Sequence, residues 1–275
     1  HDWRMPTAKE LHGISDLGRS SPNLDTEYFP NSYSVVSKFY WTSSPQASRF
    51  FNDVWRVSSA GGEVTLTTRN NQHGIRLVRS DATVSVAPAS SDETIPPSNP
   101  DNVYLDHGDG TVTDTRNELR WKRCTERASW DGNKCVANPT TPYFNWNEAH
   151  ETARVSRFAN FNDWRLPNIK ELRTLVEECR YSPGINTKFF SVEVGTTLWS
   201  SSIMSNDFSA KSAHAMGTDG GVSFWTRDSL WDVRLVRAGK TLAPAQGICG
   251  TANGVFSESA PTHNLCILGA SSEVS

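Results

Sequence analysis

Asp163-Trp164-Arg165-Leu166-Pro167-Asn168-Ile169-Lys170-Glu171-Leu172 is the stretch on which the fold turns. It reads as the end of an extended segment, a rigid Pro, and then a helix. Asn168 is a good N-cap, and Glu171 stands three residues on, the capping-box spacing. Ile169, Leu172 and Val176 follow on one apolar face, so the helix is expected to run to about Glu178. The chain opens with the same device: Asp2-Trp3-Arg4-Met5-Pro6-Thr7-Ala8-Lys9-Glu10-Leu11, with Thr7 as cap and Glu10 as its partner. The two stretches lie 161 positions apart (163 − 2).

The repeat extends well past this motif. Arg19-Ser20-Ser21-Pro22 and Tyr28-Phe29 align with Arg180-Tyr181-Ser182-Pro183 and Phe189-Phe190. After a short slip, Tyr40-Trp41-Thr42-Ser43-Ser44 matches Leu198-Trp199-Ser200-Ser201-Ser202, and Ile75-Arg76-Leu77-Val78-Arg79 matches Val233-Arg234-Leu235-Val236-Arg237. Landmarks in one order at a domain-sized period indicate two copies of one unit rather than a solenoid.

Composition bounds the rest. The 275 residues suffice for two ordinary domains. A net charge of −3 and a pI near 6.2 argue against a nucleic-acid footprint, which needs a basic face. No apolar run approaches the length of a membrane span. The chain starts at His1 without Met or a signal peptide, which reads as a processed or partial chain. Ten Trp and 18 Gly at 36% hydrophobic content suggest a loop-rich fold with aromatic anchors. Five Cys leave at least one outside any internal pair.

The expected organisation is a first copy over 1–80 that lacks its leading part, a Ser-, Ala- and Pro-rich linker over 81–100, a second copy over 101–240, and the start of a small Cys-bearing module over 241–275. In the second copy, residues 106–114 read as a strand, a Gly-rich turn and a returning strand, continued by Leu119-Arg120-Trp121. Asn145 caps a helix to about Arg157, with Glu148 three residues on. Residues 197–236 alternate turns with short apolar strands.

Taken together, Asp163-Trp164-Arg165-Leu166-Pro167, Trp199-Ser200-Ser201-Ser202 and Val233-Arg234-Leu235-Val236-Arg237, preceded by Asp109-Gly110-Thr111-Val112-Thr113-Asp114, resemble the DUF1566 family, the domain at the C-terminus of the Legionella collagen-like adhesin. The resemblance covers 103–237 fully and 2–79 partly. It implies an α+β fold of the C-type-lectin-like superfamily: tandem domains, each a small, mostly antiparallel sheet with two flanking helices and long loops. It implies bacterial or phage-associated display, secreted or at the cell surface. The Arg-Leu-Pro helix opening also resembles the formylglycine-generating enzymes, but their copper-binding Cys pair has no counterpart late in either copy. The resemblance brings Cys179 into play as an alternative partner for Cys124, although the first copy has Gly18 at that place.

Several candidate sites have a structural reading beside a functional one. Arg4, Arg165, Arg76 and Arg234 suggest an anion site, but Arg on an apolar strand more often pairs with a carboxylate, so these are read as braces of the core, with Asp163 and Arg165 as cross-braces. Trp3, Trp41, Trp164 and Trp199 are read as core, and Glu10 and Glu171 as helix-cap partners. Cys124 and Cys135 close a short polar loop and suit a disulfide in an oxidising compartment. Asp106, Asp109 and Asp114 weakly resemble a calcium loop, and a two-Gly hairpin explains the same residues. No other metal site and no cofactor is indicated, and no catalytic residue: Ser200–Ser202 lacks the surroundings of a nucleophile. The loops that diverge most between copies carry Arg49, Phe50 and Phe51 in one and Trp225, Arg227 and Trp231 in the other, a composition suited to stacking on sugar or docking on protein. The expected function is a non-enzymatic adhesin-type protein binding a glycan or protein surface. The alternative is a subunit or coat of an extracellular filament, packed against other copies of itself.

Overall fold

The computed structural model describes residues 3–19, 21–30, 32, 39–47, 53–79, 97–204 and 211–239. All of these belong to one compact unit, His1–Lys240. Arg49, Phe50, Phe51, most of the linker and the module from Thr241 lie outside the described residues.

The repeated Pro-headed helices form as their caps dictate. In α1 (Ala8–Gly13) the Thr7 hydroxyl accepts from the Glu10 amide, and in α3 (Ile169–Thr174) the Asn168 side chain accepts from the Glu171 amide. Each Glu carboxylate returns to its cap residue's N–H at 2.8 Å. A serine hydroxyl from the neighbouring strand takes one more orphan amide in each copy: Ser44 from Ala8 at 2.9 Å and Ser202 from Ile169 at 3.0 Å. Helix α3 ends at Thr174, short of Glu178. The Asn99 amide donates to the carbonyls of Thr174 and Val176, Lys9 Nζ also reaches Thr174, and Val176 leaves the helix to bridge Ile185. The last residues of the linker are thus part of the packed body, and Asn99 is buried.

Each copy contributes three antiparallel strands: β1 (Phe39–Pro45), β2 (Asp53–Ser58) and β3 (Val64–Thr68) from the first, β9 (Thr197–Ile203), β10 (Ser212–Gly217) and β11 (Val222–Thr226) from the second. They join into one six-stranded sheet in the order β1-β2-β3-β11-β10-β9, a palindrome about the Val64–Val222 pair. Leu11, Trp55, Val57 and Val64 of the first copy share a core with Leu172, Val176, Met216 and Val222 of the second. Burying each such side chain is worth about 1.5–3 kcal/mol, so the seam between copies is a core in its own right.

Among the described residues, the second copy alone has a further layer. Strands β4 (Tyr104–Asp106), β5 (Thr111–Asp114) and β6 (Leu119–Lys122) form a meander completed by β12 (Val236–Ala238), in the order β12-β6-β5-β4. Gly110 turns this hairpin at φ +83°, and a Cβ there would stand 2.7 Å from the rings of Phe158 and Trp130. Only glycine fits. A small hairpin, β7 (Ala128–Trp130) and β8 (Cys135–Ala137), is tied by the Cys124–Cys135 disulfide. Cys179 has no disulfide partner among the described residues. Helix α2 (Trp146–Val155) lays Ala149 and Ala153 into a second cluster with Trp164, Leu166, Trp199, Ala213, Ala215, Val233 and Leu235. The fold is therefore α+β and mostly antiparallel sheet.

Candidate functional site

The expected braces exist with different partners. Arg165 forms a two-pronged pair with Glu171 at 2.6 and 2.7 Å, and Arg4 forms the same pair with Glu10 at 2.6 and 2.8 Å. Asp163 instead holds Arg237 at 2.6 and 3.0 Å, which keeps its carboxyl below the usual range. Arg237 reaches Asp163 beside the Arg165–Val236 bridge, and the first-turn Glu171 folds back onto Arg165. Arg234 has no direct carboxylate partner among its described contacts. Its guanidinium donates to the carbonyls of Lys122 (2.7 Å), Arg123 (2.6 Å) and Ser191, and burial pulls its pKa to about 10. Its counterpart Arg76 donates to the Ser32 hydroxyl and lies over Phe29, as Arg234 lies over Phe190.

Trp164 and Trp199 are core, and each indole N–H finds a carbonyl: Phe158 at 3.0 Å and Phe144 at 2.8 Å. Trp41 is half-buried, with the His73 ring tilted against it at 4.6 Å. Trp3 departs from expectation, with 60% of its surface exposed. Its counterpart Trp164 is covered by α2 and the turn around Phe158, elements with no equivalent among the described residues of the first copy. The serine run is structural, since Ser200 donates to the His214 carbonyl at 2.7 Å and Ser202 caps α3.

The three carboxylates of the suspected calcium loop are each engaged within the hairpin. Asp106 accepts from Gly108 N–H and pairs with Arg123. Asp109 accepts from Thr111 and pairs with Arg120, and Asp114 accepts from Arg116 and Asn117. They form turn and strand braces as a two-Gly hairpin requires. Among the described residues no group of three or more His, Cys, Asp or Glu is placed to hold a metal ion.

The second copy's late loop gathers Trp225, Arg227 and Trp231 into one surface cluster. The two indoles meet edge to face with centroids 5.0 Å apart. Backbone pairing of Trp231 with Phe144 fixes one ring, and pairing within β11 carries the other. Arg227 lies over the ring of Trp146 at 4.5 Å, and Trp146 in turn meets His150 at 4.2 Å. Phe224, Trp225 and Leu230 face solvent, Trp225 with 41% of its surface. The Trp225 indole donates to the Ser223 hydroxyl at 3.1 Å, and the Thr226 and Ser229 hydroxyls bond to each other at 3.1 Å. Beside this cluster a cleft of about 650 Å³ runs between α2 and the start of α3, lined by His150, Glu151, Arg154, Trp164, Arg165 and Glu171. Burial, with Arg227 nearby, lowers the His150 pKa, so the ring is neutral at physiological pH.

Trp146 and His150 escape the sequence reading because a Trp just after an N-cap looks like a helix-start residue. Their i, i+4 spacing on α2 was the available signal. At the first copy's equivalent loop, His73 replaces Trp231 and is held by Thr67 and Arg56.

With the geometry in place, comparison with known families is informative. The family model described as the Lcl C-terminal domain matches residues 1–79 and 110–237. The chain belongs to the Lcl C-terminal domain family. Its two matched segments are the two repeats, the first without the part that β4–β6 and α2 supply in the second. No curated protein and no solved structure matches the chain. No helix among the described residues is long and apolar enough to cross a membrane.

Proposed function

We propose that the chain is a non-enzymatic, adhesin-type binding protein displayed outside the cell, and that the second repeat carries its ligand site at Trp225, Arg227 and Trp231. The edge-to-face Trp225–Trp231 pair, with Trp225 open to solvent and its indole on the Ser223 hydroxyl, carries this reading. An exposed indole covers the apolar face of a sugar ring, while Ser223, Thr226 and Asp228 supply donors and acceptors at its edge. A glycan is therefore the preferred ligand, presented by a rigid lectin-like scaffold. The non-enzymatic reading rests on the serine hydroxyls being spent on structure and on family membership, since the Lcl C-terminal domain is associated with a surface adhesin.

A glycan array probed with the whole chain tests the proposal. Binding that is lost on Trp225→Ala, with unfolding unchanged, supports it. Binding to immobilised protein but to no glycan would move the ligand class. Binding indifferent to both Trp225→Ala and Arg227→Ala would remove the site.

A further inference from the structure

The cleft beside the tryptophan pair has a chemistry of its own. Along α2, Asn147, His150, Glu151 and Arg154 recur at helical spacing on one stripe. The head of α3 contributes Arg165, Asn168 and Glu171 to the lining, and β9 contributes Ser201. At about 650 Å³ the cleft falls in the size range of ligand pockets, and every lining residue belongs to the second repeat.

The charges in this lining are already matched. Arg154 pairs with Glu151 at 2.5 and 2.8 Å, and Arg165 pairs with Glu171 at 2.6 and 2.7 Å. An anionic group entering here would find both guanidinium groups engaged and a carboxylate beside each. The polar groups that no ion pair consumes are uncharged. They are the Asn147 amide, the Ser201 hydroxyl, His150, and the amide N–H groups of Asn168, whose oxygen accepts from Glu171 N–H at 2.9 Å. His150 Nε2 is buried with no hydrogen-bond partner among the described residues, on a ring that burial keeps neutral. Amides, a hydroxyl and a neutral imidazole donate and accept between them, as sugar hydroxyls do.

His150 also joins this cleft to the tryptophan pair. Its ring meets Trp146 at 4.2 Å, and the Trp146 indole donates to the Ser200 carbonyl at 2.8 Å, next to the lining residue Ser201. Trp146 N–H donates to the Arg227 carbonyl at 2.9 Å, and the Arg227 guanidinium lies over the Trp146 ring. One surface therefore runs from Trp225 and Trp231 through Arg227, Trp146 and His150 into the cleft.

We propose that the cleft is a second subsite of the glycan site and takes an uncharged sugar unit of the same chain that stacks on Trp225. The ligand is then an oligosaccharide read over several units, with a neutral unit between α2 and α3, and not a single terminal sugar. This rests on the reading of Trp225 and Trp231 as a glycan site.

The test is isothermal titration of the whole chain with β-1,4-glucose, α-1,4-glucose and β-1,4-N-acetylglucosamine oligomers, each two and six units long, and with a hyaluronan hexamer as the acidic probe. At least one neutral hexamer is expected to bind about tenfold tighter than its dimer. Asn147→Trp fills the cleft from an exposed position, and Glu151→Trp does so one turn further on the same stripe. Either is expected to erase the gain with length while dimer binding and melting temperature hold. Dimers and hexamers that bind equally, all lost on Trp225→Ala, overturn the second subsite and leave the tryptophan site standing. A gain with length that survives both blocking variants overturns it too, as does tight binding of the hyaluronan hexamer alone. Binding by none of the neutral probes, or binding indifferent to Trp225→Ala, removes the tryptophan site and the subsite with it.

Discussion

Trp164 and Trp3 sit in the same ten-residue motif, yet one is 3% exposed and the other 60%. Their backbones do not differ in the bonds that define the motif. Ser201 N–H reaches the Pro167 carbonyl at 2.8 Å, and Ser43 reaches Pro6 at 2.8 Å; Trp199 N–H meets the Asp232 carbonyl at 3.0 Å, and Trp41 meets Gly74 at 2.9 Å. Local sequence therefore dictates the turn, the cap and the Arg–Glu pair in both repeats. Burial is dictated by something else: the hairpin and α2, which come from elsewhere in the chain and, among the described residues, cover the second repeat alone. A motif fixes a conformation, and only its surroundings make that conformation a core.

The largest effect expected from this contrast is on stability. Trp164→Ala should cost about 3–5 kcal/mol, since it opens a cavity in the core, whereas Trp3→Ala should cost under about 1 kcal/mol. Urea unfolding of the two variants measures the difference, and equal losses would break the comparison. Next, replacing Cys124 and Cys135 together by Ser should lower stability by about 2–3 kcal/mol, because the unfolded chain regains the conformational freedom that the closed loop removes. The first repeat offers no counterpart, so the loss belongs to the second repeat's added layer.

A smaller effect sharpens the seam between repeats. His12 occupies the place that Arg173 holds in the second copy, and both are buried. Burial, and then the nearby Arg173, pulls the His12 pKa to about 3. The folded protein therefore excludes a proton that the unfolded chain accepts. The associated stability is full above the unfolded value near 6.5 and is lost as pH falls below it, by about 1.4 kcal/mol per pH unit. His12→Gln should flatten that part of the stability profile between pH 7 and 5, as read from urea midpoints. Smallest and most even, Glu10→Ala and Glu171→Ala should each cost about 1 kcal/mol by removing one half of a capping box and its Arg partner. Unequal losses would show that the caps feel the missing cover.

What was legible in the sequence follows the same division. The three capping boxes at Thr7, Asn145 and Asn168, the hairpin at Gly108–Gly110 and the core role of Trp164 and Trp199 all depend on neighbours within a few residues or on strong apolar patterning. The joining of β3 to β11 was hidden, because nothing in Val64 or Val222 distinguishes a strand that pairs within its repeat from one that pairs across. The carbonyl cage around Arg234 was hidden too, since backbone acceptors leave no sequence trace. At the candidate site Trp225, Arg227 and Trp231 were visible as divergent aromatics. Trp146 and His150 were not, because their role requires α2 to lie against that loop.

The central claim is that the two repeats form one body about the β3–β11 seam, with a shared core and unequal covers. Native-state hydrogen exchange followed by mass spectrometry tests it most directly. Amides of β2 and β3 should open with the same free energy as those of β10 and β11, all at the global limit. Exchange of β2 and β3 many-fold faster, with β10 and β11 still protected, would mean that the first repeat opens alone and that the shared sheet is not what holds the molecule together.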